Sequence, residues 1–333
     1  MKTAVLGGGS WGITLAAHLS RGPHQVRLWE FNPERAARLH VEREDPIILP
    51  GITLPELVRV TSDMENAIEG AESVVYVVPS HTLRSTAQRA AAFWPKDALS
   101  IIAAKGLEEN TLKRMDEVLE ECLPKGSAIV VLSGPSHAEE VARFQPTALV
   151  AASRQASAAA KAQFLFHADP LRVYTSADVA GVGLGGSLKN VIALAAGILD
   201  GLGLGDNTKA ALMTRGLHEI TRLGTSLGAS PQTFAGLTGM GDLFVTCMSR
   251  HSRNRLLGEK IGKGLTLEAA LKEMVMVAEG VRTARAAFVL ARRVGVEVPI
   301  IDQVNRVLFE DVPALECLKT LMARNAKPES LEP

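Results

Sequence analysis

Through the first half of the chain, short, mostly apolar runs alternate with stretches in which apolar residues recur every three or four positions. The runs at 3–6, 26–29, 58–60, 73–78, 99–103, 128–132, 147–151 and 171–174 read as strands, and those at 13–19, 83–93, 111–123 and 156–166 as helices. Apolar strands separated by helices predict a mostly parallel sheet covered on both faces. Beyond residue 186 the strand signals stop, and helical patterns fill 187–199, 208–227, 252–261, 266–276, 282–293 and 299–309. The fold class expected is therefore α/β, with an N-terminal sheet domain over 1–183 and a C-terminal all-helical domain over 184–333 that holds the substrate. The polar stretch 325–329 is expected to fray.

The junction between the first strand and the first helix carries Gly7, Gly8, Gly9, Ser10, Trp11 and Gly12. Gly7 permits a tight turn, Gly9 allows close approach of backbone to a pyrophosphate, and Gly12 lets helix pack on strand. The helix that follows presents unpaired N–H groups and the positive end of its dipole to an anion. This is the fingerprint of a Rossmann-type dinucleotide site. Glu30, about 20 residues on, ends the second strand where an acidic side chain reaches the adenosine ribose. A carboxylate there accepts from a free 2′-hydroxyl and repels a 2′-phosphate, favouring NADH over NADPH. Arg27 and Arg35 nearby pull the other way.

Composition narrows the partners. The chain has 333 residues, with 36 Lys+Arg against 36 Asp+Glu, so no global field recruits nucleic acid or an anionic membrane. An anionic small molecule must be held by a local cluster. The cysteines Cys122, Cys247 and Cys317 form no CxxC pair and suit a reducing compartment. No secretory signal is expected ahead of the first strand, and the apolar run 191–199 stops at Asp200, short of a bilayer span of about 20 residues. A cytoplasmic protein without stable membrane insertion is expected.

Three clusters could carry chemistry. Lys105, followed by Gly106, lies just beyond a buried strand and aims at the crevice where ligands of such sheets bind; Gly134 and Ser136 end the next strand. In the second cluster, Ser187 is positioned to cap a helix starting there. That places Lys189 in the first turn beside Asn190, where dipole and burial would both lower its pKa toward the range useful for proton transfer. The third is the densest: Gly236, Gly239 and Gly241 precede Asp242 and Thr246, followed by Ser252, Arg253 and Asn254, whose donors suit a phosphate.

The residues 7–16, 103–108, 134–138, 184–190, 236–254 and 277–281 resemble, in order, motifs of the bacterial NAD(P)-dependent glycerol-3-phosphate dehydrogenase family. The resemblance implies reversible reduction of dihydroxyacetone phosphate to sn-glycerol 3-phosphate, the backbone of glycerophospholipids. Lys189 would be the proton donor and acceptor. Lys105, Gly134, Ser136, Asp242, Ser252, Arg253 and Asn254 would meet the substrate, and Ser10, Trp11, Lys105, Ala138, Arg253, Val277 and Glu279 the dinucleotide. A homodimer and no metal are further expectations. Two positions depart from the family: His137 stands where an aromatic is common, and Glu30 where a basic or neutral residue is common. A 3-hydroxyacid dehydrogenase of similar build would need a carboxylate clamp in place of the phosphate pocket, and a non-catalytic NADH sensor would need neither that pocket nor an acid–base lysine.

Overall fold

The computed structural model describes residues 1–326, 328 and 329; of the polar stretch 325–329, Lys327 lies outside the described residues. All eight expected strands form one sheet: β1 (Lys2–Leu6), β2 (Gln25–Trp29), β3 (Arg59–Thr61), β4 (Ser73–Tyr76), β5 (Leu99–Ile102), β6 (Ile129–Ser133), β7 (Thr147–Ala152) and β8 (Leu171–Ser176). Their order is β3-β2-β1-β4-β5-β6-β7-β8, so the chain reverses direction across the sheet between β1 and β4. Ligand crevices form at the carboxyl ends of strands at such a switch point. One pairing breaks the parallel pattern: β7 runs antiparallel to β6.

Helices α1 (Ser10–Leu19), α2 (Pro33–Glu42), α3 (Met64–Ile68), α4 (Leu83–Ala91), α5 (Met115–Cys122), α6 (Ala138–Ala142) and α7 (Ala156–Phe166) belong to the sheet half. The three the periodicity did not signal, α2, α3 and α6, are short or strongly charged. The expected helix over 111–123 begins only at Met115, because Leu112 takes φ +62° and Leu107 bridges to Arg114 ahead of it. Separate apolar cores on the two sides of the sheet centre on Val5, Leu28 and Ile101 and on Leu6, Tyr76 and Ile102.

The second half holds α8 (Val179–Gly201), α9 (Asp206–Ser226), α10 (Pro231–Phe234), α11 (Asp242–Met248), α12 (Arg253–Gly262), α13 (Leu267–Lys272), α14 (Gly280–Val294), α15 (Pro299–Phe309) and α16 (Ala314–Met322). A single π turn, Leu237–Gly241, leads into α11. The central element is α8, and it corrects an expectation. Ser187 does not cap it. Asp178 does, accepting from Gly181 N at 2.8 Å, so Lys189 sits about three turns inside. The glycines at 185 and 186 look like a turn in the sequence but are helical. A Cβ on Gly185 would stand 2.6 Å from Thr238 O, and one on Gly186 would collide with Ser133 Oγ. With 23 residues, α8 is long and apolar enough to cross a membrane by length and composition, contrary to the count from 191–199. Almost all of it is buried as the spine of the helical half.

Candidate active site

The glycine turn has the geometry its sequence predicts. Gly7 takes φ +122°, and a Cβ there would press on the Val77 carbonyl; one on Gly12 would run into Gly7 O. Gly9 is different. It is the N-cap of α1, no side chain caps that helix, and nothing lies within 4 Å of where its Cβ would be. No side chain caps the N–H groups that open α1, and the open space beside Gly9 leaves room for a pyrophosphate against them. Across the crevice, Ala138 opens α6, where Ala138 O accepts from Thr14 Oγ1 of α1 at 3.3 Å.

Glu30 follows β2 directly, and Gly8 packs against its carboxylate. It is almost fully buried, because Arg35 lies over it: Arg35 NH1 donates to Glu30 Oε2 at 2.6 Å, and Asn32 N donates to Glu30 Oε1 at 3.1 Å.

A buried charged cluster is built from both halves of the molecule. Lys105, beyond the end of β5, donates to Asp242 Oδ2 at 2.6 Å and to Gly134 O at 3.1 Å. Lys189, from α8, donates to Asp242 Oδ1 and to Thr246 Oγ1, the latter at 2.5 Å. Thr246 Oγ1 passes its own hydrogen to Asp242 O at 2.6 Å, one turn back on α11. Asp242 therefore bridges two ammonium groups from opposite walls. Burial alone would raise its carboxyl, but Lys105 and Lys189 outweigh that and hold it below the usual carboxylate range. Lys189 is 5% exposed. Burial, with Lys105 adding repulsion, pushes its pKa down to about 8 against the pull of Asp242. The lowering expected from burial is present; the dipole contribution expected beside it is not, because α8 starts at Val179 and Lys189 lies well inside it.

The buried Cys247 thiol is pushed up to about 12 and stays neutral beside this cluster. His137, N-cap of α6, has its ring 6.2 Å from that of His251. Burial and then Lys189 lower its pKa, leaving it uncharged at neutral pH. Among the described residues no group of three or more His, Cys, Asp or Glu could hold a metal ion.

Ser252 caps α12, accepting from Arg255 N at 3.2 Å, and thereby fixes the helix start that carries Arg253 and Asn254. Arg253 is exposed and makes no ion pair or hydrogen bond among the described residues. Asn254 is committed to scaffolding. It donates to Asn190 Oδ1 and accepts from Gly280 N, both at 2.9 Å, tying α12 to α8 and α14. Ser136 Oγ turns back to Gly134 O at 2.9 Å, and Val277 is exposed.

Two contacts across the halves escaped sequence reasoning. Glu279 accepts from Ser80 N at 3.0 Å and from Ser80 Oγ at 2.5 Å, and Ser187 Oγ both accepts from Gly106 N at 2.9 Å and bonds Gly106 O. Both pairs are far apart in sequence, and a lone Ser or Glu carries no signal of its partner.

A free helix N-terminus at the switch point of a doubly wound sheet, together with a buried ammonium supplied by a helical half, places the chain in the class of two-part nicotinamide-dependent dehydrogenases. Comparison with known proteins narrows the class. The model for the N-terminus of NAD-dependent glycerol-3-phosphate dehydrogenase matches residues 2–159, and that for its C-terminus matches 178–319. The chain belongs to the NAD-dependent glycerol-3-phosphate dehydrogenase family. It is 50% identical over 331 residues to the glycerol-3-phosphate dehydrogenase [NAD(P)+] of Chlorobium phaeobacteroides (strain BS1), covering 99% of each chain. It is 51% identical over 333 residues to that of Pelotomaculum thermopropionicum, covering 99% of this chain and 95% of the other. The crystal structure of glycerol-3-phosphate dehydrogenase from Coxiella burnetii superposes with a TM-score of 0.94 at 35% identity, covering 97% of this chain and 99% of that one.

Proposed function

We propose that the chain reduces dihydroxyacetone phosphate to sn-glycerol 3-phosphate reversibly, with NADH preferred over NADPH, working in the cytoplasm as a homodimer and supplying phospholipid backbones. The observation that carries the reaction is the buried Lys189–Asp242–Lys105 bridge between the two halves. When bound, the nicotinamide supplies or takes up the hydride. Lys189, as an ammonium, neutralises the charge that grows on the C2 oxygen and gives that oxygen its proton; in the reverse direction the neutral amine removes it. Asp242 aims Lys189 and keeps its hydrogen away from solvent. Lys105 adds a second positive charge beside the same oxygen. Arg253, unpaired at the start of α12, and the N–H groups of that helix would hold the phosphate at the far end and fix the reacting geometry. Residues 1–183 and 184–333 would act as dinucleotide and substrate domains.

The test is NADH oxidation with dihydroxyacetone phosphate beside unphosphorylated dihydroxyacetone, in the parent and in Arg253→Ala. Turnover should require the phosphate in the parent, and Arg253→Ala should raise KM on the order of tenfold or more with a smaller change in kcat. Equal turnover of both ketones, or an unchanged KM, would remove the phosphate pocket from the account. Activity on 3-hydroxy acids instead would favour the related 3-hydroxyacid dehydrogenases.

A further inference from the structure

The ribose end of the dinucleotide site contains a residue that the acidic-position rule does not point to. Arg35 on α2 is clasped from three sides: its NH1 donates to Glu30 Oε2 at 2.6 Å, its Nε to Asp45 Oδ2 at 2.9 Å, and its NH2 to Gly8 O at 2.5 Å. Both carboxylates are almost fully buried, with Glu30 at 1% and Asp45 at 3% exposure. Asp45 is itself anchored, since its Oδ1 accepts from Ile47 N at 3.2 Å and Ile48 N at 3.1 Å. The clasp reaches the backbone of the glycine turn, so it borders the place where the adenosine ribose must lie.

We propose that Asp45, acting through Arg35, is a positioning residue that sets cofactor selectivity in favour of NADH. The inference rests on the proposed NADH preference and deepens it. One guanidinium between two carboxylates leaves the cluster with a net charge of −1. A 2′-phosphate would bring up to two further negative charges against it. To pair with that phosphate, Arg35 would have to leave a buried carboxylate without its partner, which is costly. A 2′-hydroxyl asks for no such exchange. Three of the guanidinium's five N–H groups are engaged, and those that remain can donate to a hydroxyl while Glu30 accepts from it. Glu30 alone thus does not decide the matter; the acid that keeps Arg35 seated does.

Replacing Asp45 by Asn removes one charge and the acceptor for Arg35 Nε, while its amide oxygen still accepts from Ile47 N and Ile48 N. Equilibrium dissociation constants for NADH and NADPH, read by isothermal titration calorimetry, test the inference without reference to turnover. The parent should bind NADH more tightly than NADPH. Asp45→Asn should lower the Kd(NADPH)/Kd(NADH) ratio on the order of tenfold, as loss of one nearby charge implies, chiefly by tightening NADPH. Asp45→Ser, whose hydroxyl can serve the same two N–H groups, should do likewise and stands in if the Asn variant does not fold. Glu34→Gln removes an equal charge from the exposed face of α2 beside Arg35 and should leave the ratio unchanged. A parent that prefers NADPH would overturn the NADH reading and this inference together. A parent that prefers NADH, with a ratio unmoved by both Asp45 variants or moved as much by Glu34→Gln, would overturn the inference alone.

Discussion

Lys189 is a buried ammonium that shares its one carboxylate partner, Asp242, with a second lysine, Lys105. With its pKa pushed down to about 8, it is mostly an ammonium at neutral pH yet can release its proton without a large penalty. In the proposed mechanism the two directions of reaction need opposite protonation states of this one group. As pH rises through about 8 the ammonium is lost, so kcat/KM for ketone reduction should fall there, while kcat/KM for glycerol 3-phosphate oxidation should rise over the same interval. Lys189→Met should lower kcat by about 10² to 10⁴ and abolish both limbs near pH 8. Paired pH profiles of parent and variant check this; limbs that persist in Lys189→Met would assign the titration to another group. At this scale the sequence was informative about identity and less so about cause. Lys189, Asp242 and Lys105 stand out from their neighbours, but the start of α8 at Val179 was hidden, because glycines that serve close packing resemble a turn.

At the scale of elements, the site depends on how tightly α8 and α12 approach. Glycines face the partner backbone on both helices: a Cβ on Gly258 would collide with Leu194 O, one on Gly197 with Arg255 O, and one on Gly262 with Ile198 O. This contact, with the Asn190–Asn254 bond above it, places Arg253 on α12 at a set distance from Lys189 on α8. Alanine at 258 would gain up to about 1 kcal/mol in helix propensity. Its methyl would meet a carbonyl on a packed helix that cannot yield, and overpacking of this kind costs about 1–3 kcal/mol. The clash should win. Gly258→Ala is expected to lower stability in urea titrations by that order and to reduce kcat/KM for the phosphorylated ketone beyond what the fraction unfolded explains. A variant as stable and as active as the parent would show that the two helices have slack. The strands were legible throughout, since the central ones are continuous apolar runs and the outer ones keep apolar residues on the buried face. The reversal of β7 was not, because a largely apolar strand has the same composition whichever way it runs.

For the whole molecule, the groups proposed to react come from walls that meet where sheet half and helical half are clasped. Lys105 comes from the sheet half and Lys189, Asp242 and Arg253 from the helices. Ser80–Glu279 and Gly106–Ser187 fasten the two together. Such pairings across the chain, like that of Arg35 with Asp45, have no local signature, which is why sequence alone suggested the members and not the links. The most direct measurement is a crystal structure of the ternary complex with oxidised dinucleotide and sn-glycerol 3-phosphate. It should show Lys189 Nζ within about 3 Å of the C2 oxygen, the C2 carbon facing C4 of the nicotinamide, and the phosphate on Arg253. An amine still closed against Asp242 and Thr246, with the C2 oxygen held by other groups, would contradict the account.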